Sequence, residues 1–459
     1  MQNNTQQVIA SLCPWFVLAI WLHVSPMVNG QDSPDATTNA SNDAASDWLQ
    51  WRGPNGTGDA GSGEYPTKWD ASTNILWKSE VPGRGLGTPI VIGEFVVVTT
   101  AIPVGEKLPP RMSGRPGAHD NLPVDSRHEF VVMAFDRKTG VQRWRTRVNE
   151  TLPIEGAHKS ASLASASCVS DGNLVFAYFG SFGLYCLNLA GEVQWQRQFG
   201  QMHSKHGHGE GASPAIHQDA IIVNWDHEGQ SFVVSLNKAT GEENWRRMRD
   251  EVTSWSTPIV IESDGGSQVI VAGTNRVRSY DFQTGKTIWE CGGMSANIVA
   301  TPVYRNGILI VGSSYEKRIM MAIRIAGSKG DITGTDQVLW SRIRGTPYVP
   351  SMLIADDGVY FLAHYQNILT RVDLVSGREA PGAMRLGDLG SIYASPVAAG
   401  NHVYITDLDG TTMVITRGTR PQPVSVNVLD EPVSASLAFA SEQIFIRGDR
   451  HLYCITRSR

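Results

Sequence analysis

The chain has 459 residues, a formal net charge of −5 and 41% apolar residues, which is the composition of a folded globular protein with enough apolar material for a core. Its Lys and Arg residues are scattered along the sequence and form no basic stripe, which argues against a nucleic-acid partner. The 46 Gly and 13 Trp residues indicate many tight turns and large buried surfaces.

Residues 1–30 differ from the rest of the chain, because residues 8–28 are mostly apolar and are followed by the small polar stretch 29–31. This pattern predicts a secretory signal peptide. Residues 1–7 contain no Lys or Arg, and the apolar run is close to the length that spans a bilayer, so an uncleaved anchor is the alternative. Both interpretations predict export to the periplasm or cell envelope, and the anchor would add membrane association.

Two further segments follow from composition. Residues 31–46 are small and polar, which predicts a disordered linker, and the folded domain is therefore expected at residues 47–459. Within that domain, residues 102–128 form one large insertion rich in Pro and Gly. The sequence leaves two interpretations of this insertion open, a surface loop over the fold or a contact with a partner.

Residues 134–144 have the sequence Ala-Phe-Asp-Arg-Lys-Thr-Gly-Val-Gln-Arg-Trp, which returns in weaker copies along the chain. An apolar strand ends at Asp136, whose side chain bonds the turn, and Gly140 takes the positive φ before Trp144 enters the next strand. The pattern predicts a β-hairpin whose tryptophan packs against a neighbouring repeat. The equivalent structural residues in other copies are Trp195, Gly241, Trp245, Asp281, Gly285 and Trp289.

A second marker, a Ser or Thr followed by Pro and an aliphatic residue, precedes these turns. Pro214, Pro258 and Pro302 mark successive clear copies 44 residues apart, a spacing that accommodates four short strands. Clear and degenerate copies together number eight, and no convincing amphipathic helix interrupts them. The sequence therefore predicts an all-β fold, an eight-bladed β-propeller of four-stranded blades.

The two ends of the domain predict how the ring closes. Residues 74–78 carry Trp77 and precede the first marker, whereas the last repeat stops after Ile455. We therefore predict that an N-terminal strand completes the last blade, and we expect a monomeric propeller. The Trp-rich segment 48–56 before this strand is predicted to pack on the propeller.

The pattern at residues 134–144 resembles the repeat of the pyrroloquinoline quinone (PQQ)-type propellers. That family includes quinoprotein dehydrogenases and BamB-like proteins, which have the fold without the cofactor. The resemblance covers residues 47–459 and implies the fold, but the repeat builds blades and touches no substrate, so it implies no single activity. Residues 51–56, 205–211 and 223–229 are further similar to exported PQQ-like proteins of planctomycete-type bacteria.

The candidate functional residues lie on one predicted face of the propeller, the funnel face. The loop before the first strand and the loop between the second and third strands of each blade emerge there, whereas the Asp-Gly turns emerge on the other face. Polar and aromatic residues that are unusual for exposed turns concentrate on the funnel face. The candidate ligand-binding residues are His158, Lys159, His206, His208, Glu210, Asp226, His227, Glu228, Trp255, Asn275, Arg276 and Tyr348.

The third blade carries the most distinctive group of candidate ligand-binding residues. His206, His208 and Glu210 precede its first strand, and residues 226–228 follow its second strand, so the two loops should be neighbours. Imidazole and carboxylate groups in this pattern are typical of a metal site or of an acid–base pair acting on a ligand. The alternative is that they bond the backbone of the glycine-rich loop.

Other funnel-face residues suggest different ligands. Lys159 and Arg276 offer cations for an anionic group such as a carboxylate or a quinone acid. Trp255 would stack on a planar ligand, and with Tyr348 it would form a platform for a carbohydrate.

The PQQ resemblance would imply a quinone with calcium, a catalytic Asp and a disulfide between adjacent cysteines beneath the quinone. No adjacent cysteines occur in the sequence. We therefore predict a scaffold that binds a protein or a small-molecule ligand without redox activity, and the alternative is a quinoprotein-type dehydrogenase with PQQ and a metal in the funnel. The domain's cysteines are predicted to be free, buried thiols: Cys168, Cys186, Cys291 and Cys454.

Overall fold

Strands account for nearly all the regular structure of residues 46–457, the part of the chain that this computed structural model describes. The predicted signal peptide or anchor at residues 1–30 and nearly all of the predicted linker at residues 31–46 lie outside the described residues. Two short 3-10 turns, Gly180–Phe182 and Lys205–Gly207, interrupt the strands. Within the described part of the chain, no helix has the length and apolar character needed to cross a membrane.

The strands form eight sheets, here called blades 1 to 8 in chain order. The first strand of the chain is β1 (Ile75–Glu80). Blade 1 contains β2 (Ile90–Ile92), β3 (Phe95–Val104), β4 (Arg127–Asp136) and β5 (Gln142–Thr151). Blade 2 contains β6 (Val169–Ser170), β7 (Leu174–Tyr178), β8 (Leu184–Asn188) and β9 (Val193–Arg197). Blade 3 contains β10 (Ala215–His217), β11 (Ala220–Trp225), β12 (Ser231–Asn237) and β13 (Glu243–Arg249).

The remaining blades follow the same plan. Blade 4 contains β14 (Ile259–Ser263), β15 (Gly266–Ala272), β16 (Arg276–Asp281) and β17 (Thr287–Gly292), and blade 5 contains β18 (Val303–Arg305), β19 (Ile308–Ser313), β20 (Ile319–Arg324) and β22 (Val338–Arg342). Between them, β21 (Gly330–Asp331) joins blade 4. Blade 6 contains β23 (Leu353–Ala355), β24 (Gly358–Leu362), β25 (Ile368–Asp373) and β26 (Met384–Arg385). Blade 7 contains β27 (Val397–Ala399), β28 (His402–Thr406), β29 (Thr411–Thr416) and β30 (Pro423–Val428), and blade 8 contains β31 (Ala438–Ala440), β32 (Gln443–Arg447) and β33 (His451–Ile455).

The predicted eight-bladed propeller is confirmed, and so is the closure of its last blade. Strand β1 pairs antiparallel with β33, and Trp77 lies opposite Cys454 in this register. Blade 8 thus takes its outermost strand from the N-terminal side of the domain. Because β1 covers the edge of β33, blade 8 has four strands like the other blades.

The core lies between neighbouring blades. All six residues of β11 are buried, because the middle strands of a blade pack against another blade on each face. The outermost strand β5 has no fully buried residue and carries mainly charged and polar side chains. The four cysteines of the described chain are free and buried between the sheets, which confirms the predicted thiols.

The repeated tryptophans join one blade to the next. Trp195 of blade 2 donates from Nε1 to the Lys238 carbonyl of blade 3, at 2.9 Å. Gly241 in the same turn has a φ of +70°, and a Cβ there would lie 2.6 Å from the Trp195 ring. The turn therefore requires glycine for two reasons, the left-handed backbone and the close approach of the tryptophan.

Trp289 departs from this arrangement. Its Nε1 donates to the Gln268 side chain of its own blade at 3.0 Å. The reason lies in blade 5, where the connection between β20 and β22 is long and contains β21, which pairs in parallel with β17. An added strand thus occupies the edge of blade 4, where a short Asp-Gly turn was expected.

The Ser/Thr-Pro markers form a chain of hydrogen bonds around the axis. In seven neighbouring pairs of blades, a marker backbone N–H donates to the hydroxyl of the marker in the next blade at 2.8–3.1 Å. The residues so linked in order are Thr88, Ser167, Ser213, Thr257, Thr301, Ser351, Ser395 and Ser436. These bonds fix the inner ends of the blades, and therefore the walls of the central cavity.

The Trp-rich segment before β1 packs on the propeller. Trp48 is fully buried and pairs with Val91 of blade 1. Arg52 is also buried and donates to the carbonyls of Met352 at 2.8 Å and Pro396 at 3.0 Å, in the markers of blades 6 and 7. Burial lowers the pKa of the Arg52 guanidinium to about 9. The segment thus ties three parts of the ring together.

Candidate functional site

A cavity of about 300 Å³ opens at the axis on the funnel face. Marker hydroxyls line part of it, including those of Ser167 and Ser213. Among the described residues that line the cavity, Glu210 is the one carboxylate, and neither Lys nor Arg is present. The cavity is therefore nearly uncharged, with hydroxyl and aromatic groups as its main surfaces.

Several aromatic rings line this cavity. The Tyr348 ring stacks on His364 with centroids 4.5 Å apart and on Tyr315 at 5.9 Å, while Tyr365 meets it edge-on at 5.4 Å. Burial raises the pKa of the Tyr348 phenol, which therefore stays neutral. The aromatic residues of the cavity lining are here called the aromatic wall and include Trp255, Tyr315, Tyr348, Tyr365 and Tyr393.

Four imidazoles meet beside the cavity and are called the histidine cluster: His119, His158, His206 and His208. The ring centroid of His208 lies 4.7 Å from that of His119, 4.9 Å from that of His158 and 5.3 Å from that of His206. His119 also lies 5.8 Å from His158 and 6.0 Å from His206. Three segments that are distant in sequence are thus brought together within the reach of one small ligand.

The large insertion supplies His119. It spans residues 105–126, between β3 and β4, and emerges on the funnel face as the connection rule requires. Asn121 pairs with His158 and its side-chain amide donates to the His206 carbonyl at 2.8 Å. The insertion thus lies against the loops that precede blades 2 and 3 as a surface loop, and the contact with a partner stays a prediction.

The histidines at the centre of the cluster are neutral at pH 7. Burial and the neighbouring imidazoles lower the pKa of His208 to about 4. Burial also lowers the pKa of His158. The Nε2 atom of His208 is buried and has no hydrogen-bond partner among the described residues.

Glu210 faces blade 2. Its carboxylate accepts hydrogen bonds of 2.6 Å from the backbone N–H and from the hydroxyl of Ser181. Burial raises the pKa of this carboxyl to about 7. His206, His208 and Glu210 do not form a group with metal-binding separations among the described residues, because the carboxylate is turned to Ser181; the one such group is His119, Asp120 and His158.

Residues 226–228 have structural partners instead of facing the cavity. Asp226 and Arg249 are both completely buried and form two hydrogen bonds of 2.7 and 3.0 Å. Glu228 accepts hydrogen bonds from the backbone N–H and hydroxyl of Thr253, at 3.2 and 2.7 Å. His227 accepts one at 3.2 Å from the His203 backbone, so the two loops of blade 3 are neighbours as predicted.

The predicted cations are also paired away from the cavity lining. Lys159 lies 2.9 Å from Asp120. Arg276 pairs with Asp331 at 2.9 Å and with Glu290, and the adjacent Asn275 donates to a backbone carbonyl. Of the twelve predicted ligand-binding residues, five line the cavity: His158, His208, Glu210, Trp255 and Tyr348.

Sequence reasoning missed His119 and much of the aromatic wall. His119 lies in the insertion between the second and third strands of blade 1, and the connection rule already assigned such loops to the funnel face. Tyr315 follows β19 in the equivalent position of blade 5 and is 44% exposed. The same rule applied to every aromatic and histidine residue would have found both.

The ring of four-stranded blades with its Asp-Gly-Trp turns defines a PQQ-like repeat β-propeller. The chain belongs to the family described as outer membrane protein assembly factor BamB, whose family model matches residues 61–224, 128–380 and 229–459. The chain is 23% identical to the outer membrane protein assembly factor BamB of Yersinia pestis over 293 residues. This match covers 61% of this chain and 68% of that protein.

Solved structures share the fold at low sequence identity. BamB from Moraxella catarrhalis is 13% identical with a TM-score of 0.54, and the match covers 78% of this chain and 98% of that one. Quinohemoprotein alcohol dehydrogenase from Comamonas testosteroni is 11% identical with a TM-score of 0.57, covering 92% of this chain and 82% of that one. At these identities the likeness defines the fold.

Proposed function

We propose that this protein is an exported binding scaffold that holds an extended polypeptide segment in its funnel cavity and uses no redox cofactor. The observation that carries the proposal is the cavity of about 300 Å³, whose lining combines aromatic rings with uncharged hydroxyl groups. Aromatic rings bury side chains of a ligand, and hydroxyl groups bond its backbone.

Two further observations support a polypeptide ligand in the cell envelope. The BamB relatives are named as outer membrane protein assembly factors. Strands of outer-membrane barrels alternate apolar and polar residues and carry aromatic residues near their ends. Such a segment would place every second side chain against the aromatic wall. The predicted signal peptide or anchor at residues 1–30 supports export.

The second candidate is a quinoprotein-type dehydrogenase, which the likeness to the alcohol dehydrogenases favours. PQQ carries three carboxylates, and a protein that binds such an acid uses guanidinium, ammonium or metal partners. The cavity lining contains no Lys or Arg among the described residues, and its one carboxylate, Glu210, is bonded to Ser181. This donor set does not fit PQQ with calcium, which supports a scaffold without redox activity.

The test uses a fluorescently labelled peptide of about ten residues, the length of a transmembrane β-strand, with alternating aromatic and hydroxyl side chains. Its anisotropy is measured against the purified protein. Tyr365→Ala should weaken binding about tenfold, because a stacked ring contributes about 1–1.5 kcal/mol. Val141→Ala, at a residue that is 62% exposed in the turn between β4 and β5 on the opposite face, is the matched control and should leave binding unchanged.

Two competing ligands decide between the alternatives. Added PQQ with calcium should neither displace the peptide nor acquire a stoichiometric protein-bound absorption spectrum. Saturable binding of PQQ, or oxidation of alcohols after its addition, would support the dehydrogenase and contradict the scaffold. Displacement by a neutral oligosaccharide that itself binds more tightly than the peptide would instead assign the aromatic wall to carbohydrate binding.

A further inference from the structure

The histidine cluster has a feature that the binding of a polypeptide does not require. Ligand atoms of His119, Asp120 and His158 all lie within 4.8 Å of one another. Ligand atoms around a tetrahedral zinc ion lie about 3.3 Å apart, given zinc–nitrogen distances of about 2.0–2.1 Å. Small side-chain rotations would therefore bring these three groups to the separation that a metal ion requires.

His208 provides the fourth ligand. Its ring lies 4.7 Å from His119 and 4.9 Å from His158, between centroids. Its Nε2 atom is buried without a hydrogen-bond partner among the described residues, and an unsatisfied buried polar atom costs about 1–3 kcal/mol. Coordination of a metal ion by this nitrogen would remove that cost.

The hydrogen bond behind the His119 ring leaves free the lone pair that a metal ion requires. His119 Nδ1 lies 2.9 Å from the Gly117 carbonyl, which can only accept, so Nδ1 donates and Nε2 carries the lone pair. His158 Nδ1 accepts a hydrogen bond of 3.2 Å from the Ser160 backbone N–H, so ligation through Nε2 requires the ring proton to move to Nδ1, where the Ser160 hydroxyl at 2.7 Å can accept it. Partners of this kind orient histidine ligands in metal sites. Lys159 pairs with Asp120 at 2.9 Å.

We propose that His119, Asp120, His158 and His208 bind one divalent transition-metal ion, with zinc as the best match to three imidazoles and a carboxylate. Four protein ligands close the coordination sphere, as in structural zinc sites. The ion would connect the insertion at residues 105–126 to the loops that precede blades 2 and 3. It would thereby hold the insertion over the rim of the cavity, independently of which ligand the cavity takes.

The site is tested with folded protein from which metal ions have been removed by a chelator. This protein is titrated with Co²⁺ and then with Zn²⁺. The proposal predicts one ion per chain, a tetrahedral Co²⁺ absorption spectrum and displacement of Co²⁺ by Zn²⁺. His119→Ala and His208→Ala should each weaken Zn²⁺ binding by about 100-fold or more, since even groups behind the ligands change metal affinity about 10- to 100-fold. His402→Ala, at a half-buried histidine of blade 7, is the control and should bind Zn²⁺ normally.

A second measurement covers the case in which a variant folds poorly. Limited proteolysis of the wild-type protein follows cleavage within residues 105–126, with and without Zn²⁺. The proposal predicts that Zn²⁺ slows this cleavage and leaves cleavage elsewhere unchanged. Absence of saturable binding, or Zn²⁺ affinity that is unchanged in both His119→Ala and His208→Ala, would overturn it. Peptide binding to the metal-free protein is measured separately, so failure of the metal site and failure of the scaffold proposal are distinguishable.

Discussion

The backbone N–H of Ser213 in blade 3 donates a hydrogen bond of 3.0 Å to the hydroxyl of Thr257 in blade 4. Both groups are buried, and equivalent bonds follow around the axis. Seven of the eight marker hydroxyls therefore accept a hydrogen bond from the neighbouring blade, which explains why Ser or Thr recurs at these positions. The same bonds set the width of the cavity that they surround.

Removing one of these acceptors should destabilise the ring. Thr257→Val keeps the shape of the side chain but leaves the Ser213 N–H unpaired, so we expect a loss of about 1–3 kcal/mol in the free energy of unfolding. Thr257→Ser retains the hydroxyl and should lose less than half as much. Urea denaturation of both variants measures this difference, and equal losses would mean that the methyl group, rather than the hydrogen bond, matters at this position.

The contact between Trp195 and Gly241 predicts a large effect of a small substitution. Gly241→Ala adds a Cβ that would lie 2.6 Å from the ring at a φ of +70°. Gly93→Ala has a comparable φ of +53° but no atom within 4 Å of its new Cβ. Gly93→Ala, the control, should lower the free energy of unfolding by about 1–2 kcal/mol because of the backbone conformation alone. Gly241→Ala should lower it clearly more. Similar midpoints of thermal unfolding for the two variants would contradict the packing role of Trp195.

The buried pair of Asp226 and Arg249 should be structural. Replacing Arg249 by Met leaves a buried carboxylate without its partner, so we expect a loss of about 3–5 kcal/mol in stability. The double variant Asp226→Asn with Arg249→Met should recover part of that loss, because no unpaired charge remains. A double-mutant cycle from denaturant unfolding measures the coupling. Additive effects of the two substitutions would show that the interaction between the two residues contributes nothing to stability. A change in ligand binding at unchanged stability would show that Asp226 belongs to the functional site.

The repeat turn predicts a pH dependence at Asp136. Hydrogen bonds from Arg143 and Thr139 lower the pKa of this carboxyl from 3.8 to about 2. Because the pKa in the folded state is the lower one, the ionised carboxylate stabilises the fold above pH 3.8, and this contribution is lost as the pH falls towards 2. Asp136→Asn should therefore be less stable than wild type at pH 7, and the gap should narrow at pH 2.5. A difference in stability between Asp136→Asn and the wild type that does not change with pH would contradict the role of the ionised carboxylate.

The fold could be predicted from the sequence because the same local chemistry recurs in every blade. Asp or Asn, Gly and Trp specify the hairpin, and the spacing of the markers specifies four strands. What the repeat could not predict is the exception at Trp289, where β21 pairs with the blade edge. That strand lies in a connection without the repeat pattern, so no internal copy indicated its path.

The site was predictable only in part for a related reason. Strand order assigns a loop to a face of the propeller, and this placed His158, His208 and Trp255 correctly at the funnel end. Strand order does not predict which carboxylate side chains point into the cavity. Asp226, for example, forms a buried ion pair with Arg249 instead. The position of His119 depends on how an irregular insertion folds back over the ring, which hydrophobic periodicity does not encode.

The central claim, that the funnel cavity holds a polypeptide segment, is tested most directly by site-specific photo-crosslinking. A photoreactive amino acid replaces Tyr365 in the aromatic wall or Val141 on the opposite face, both exposed in the free protein. Each variant is irradiated with the labelled alternating peptide. The account predicts an adduct at position 365 that excess unlabelled peptide abolishes and none at position 141. Equal adducts at the two positions, or none at either, would contradict it.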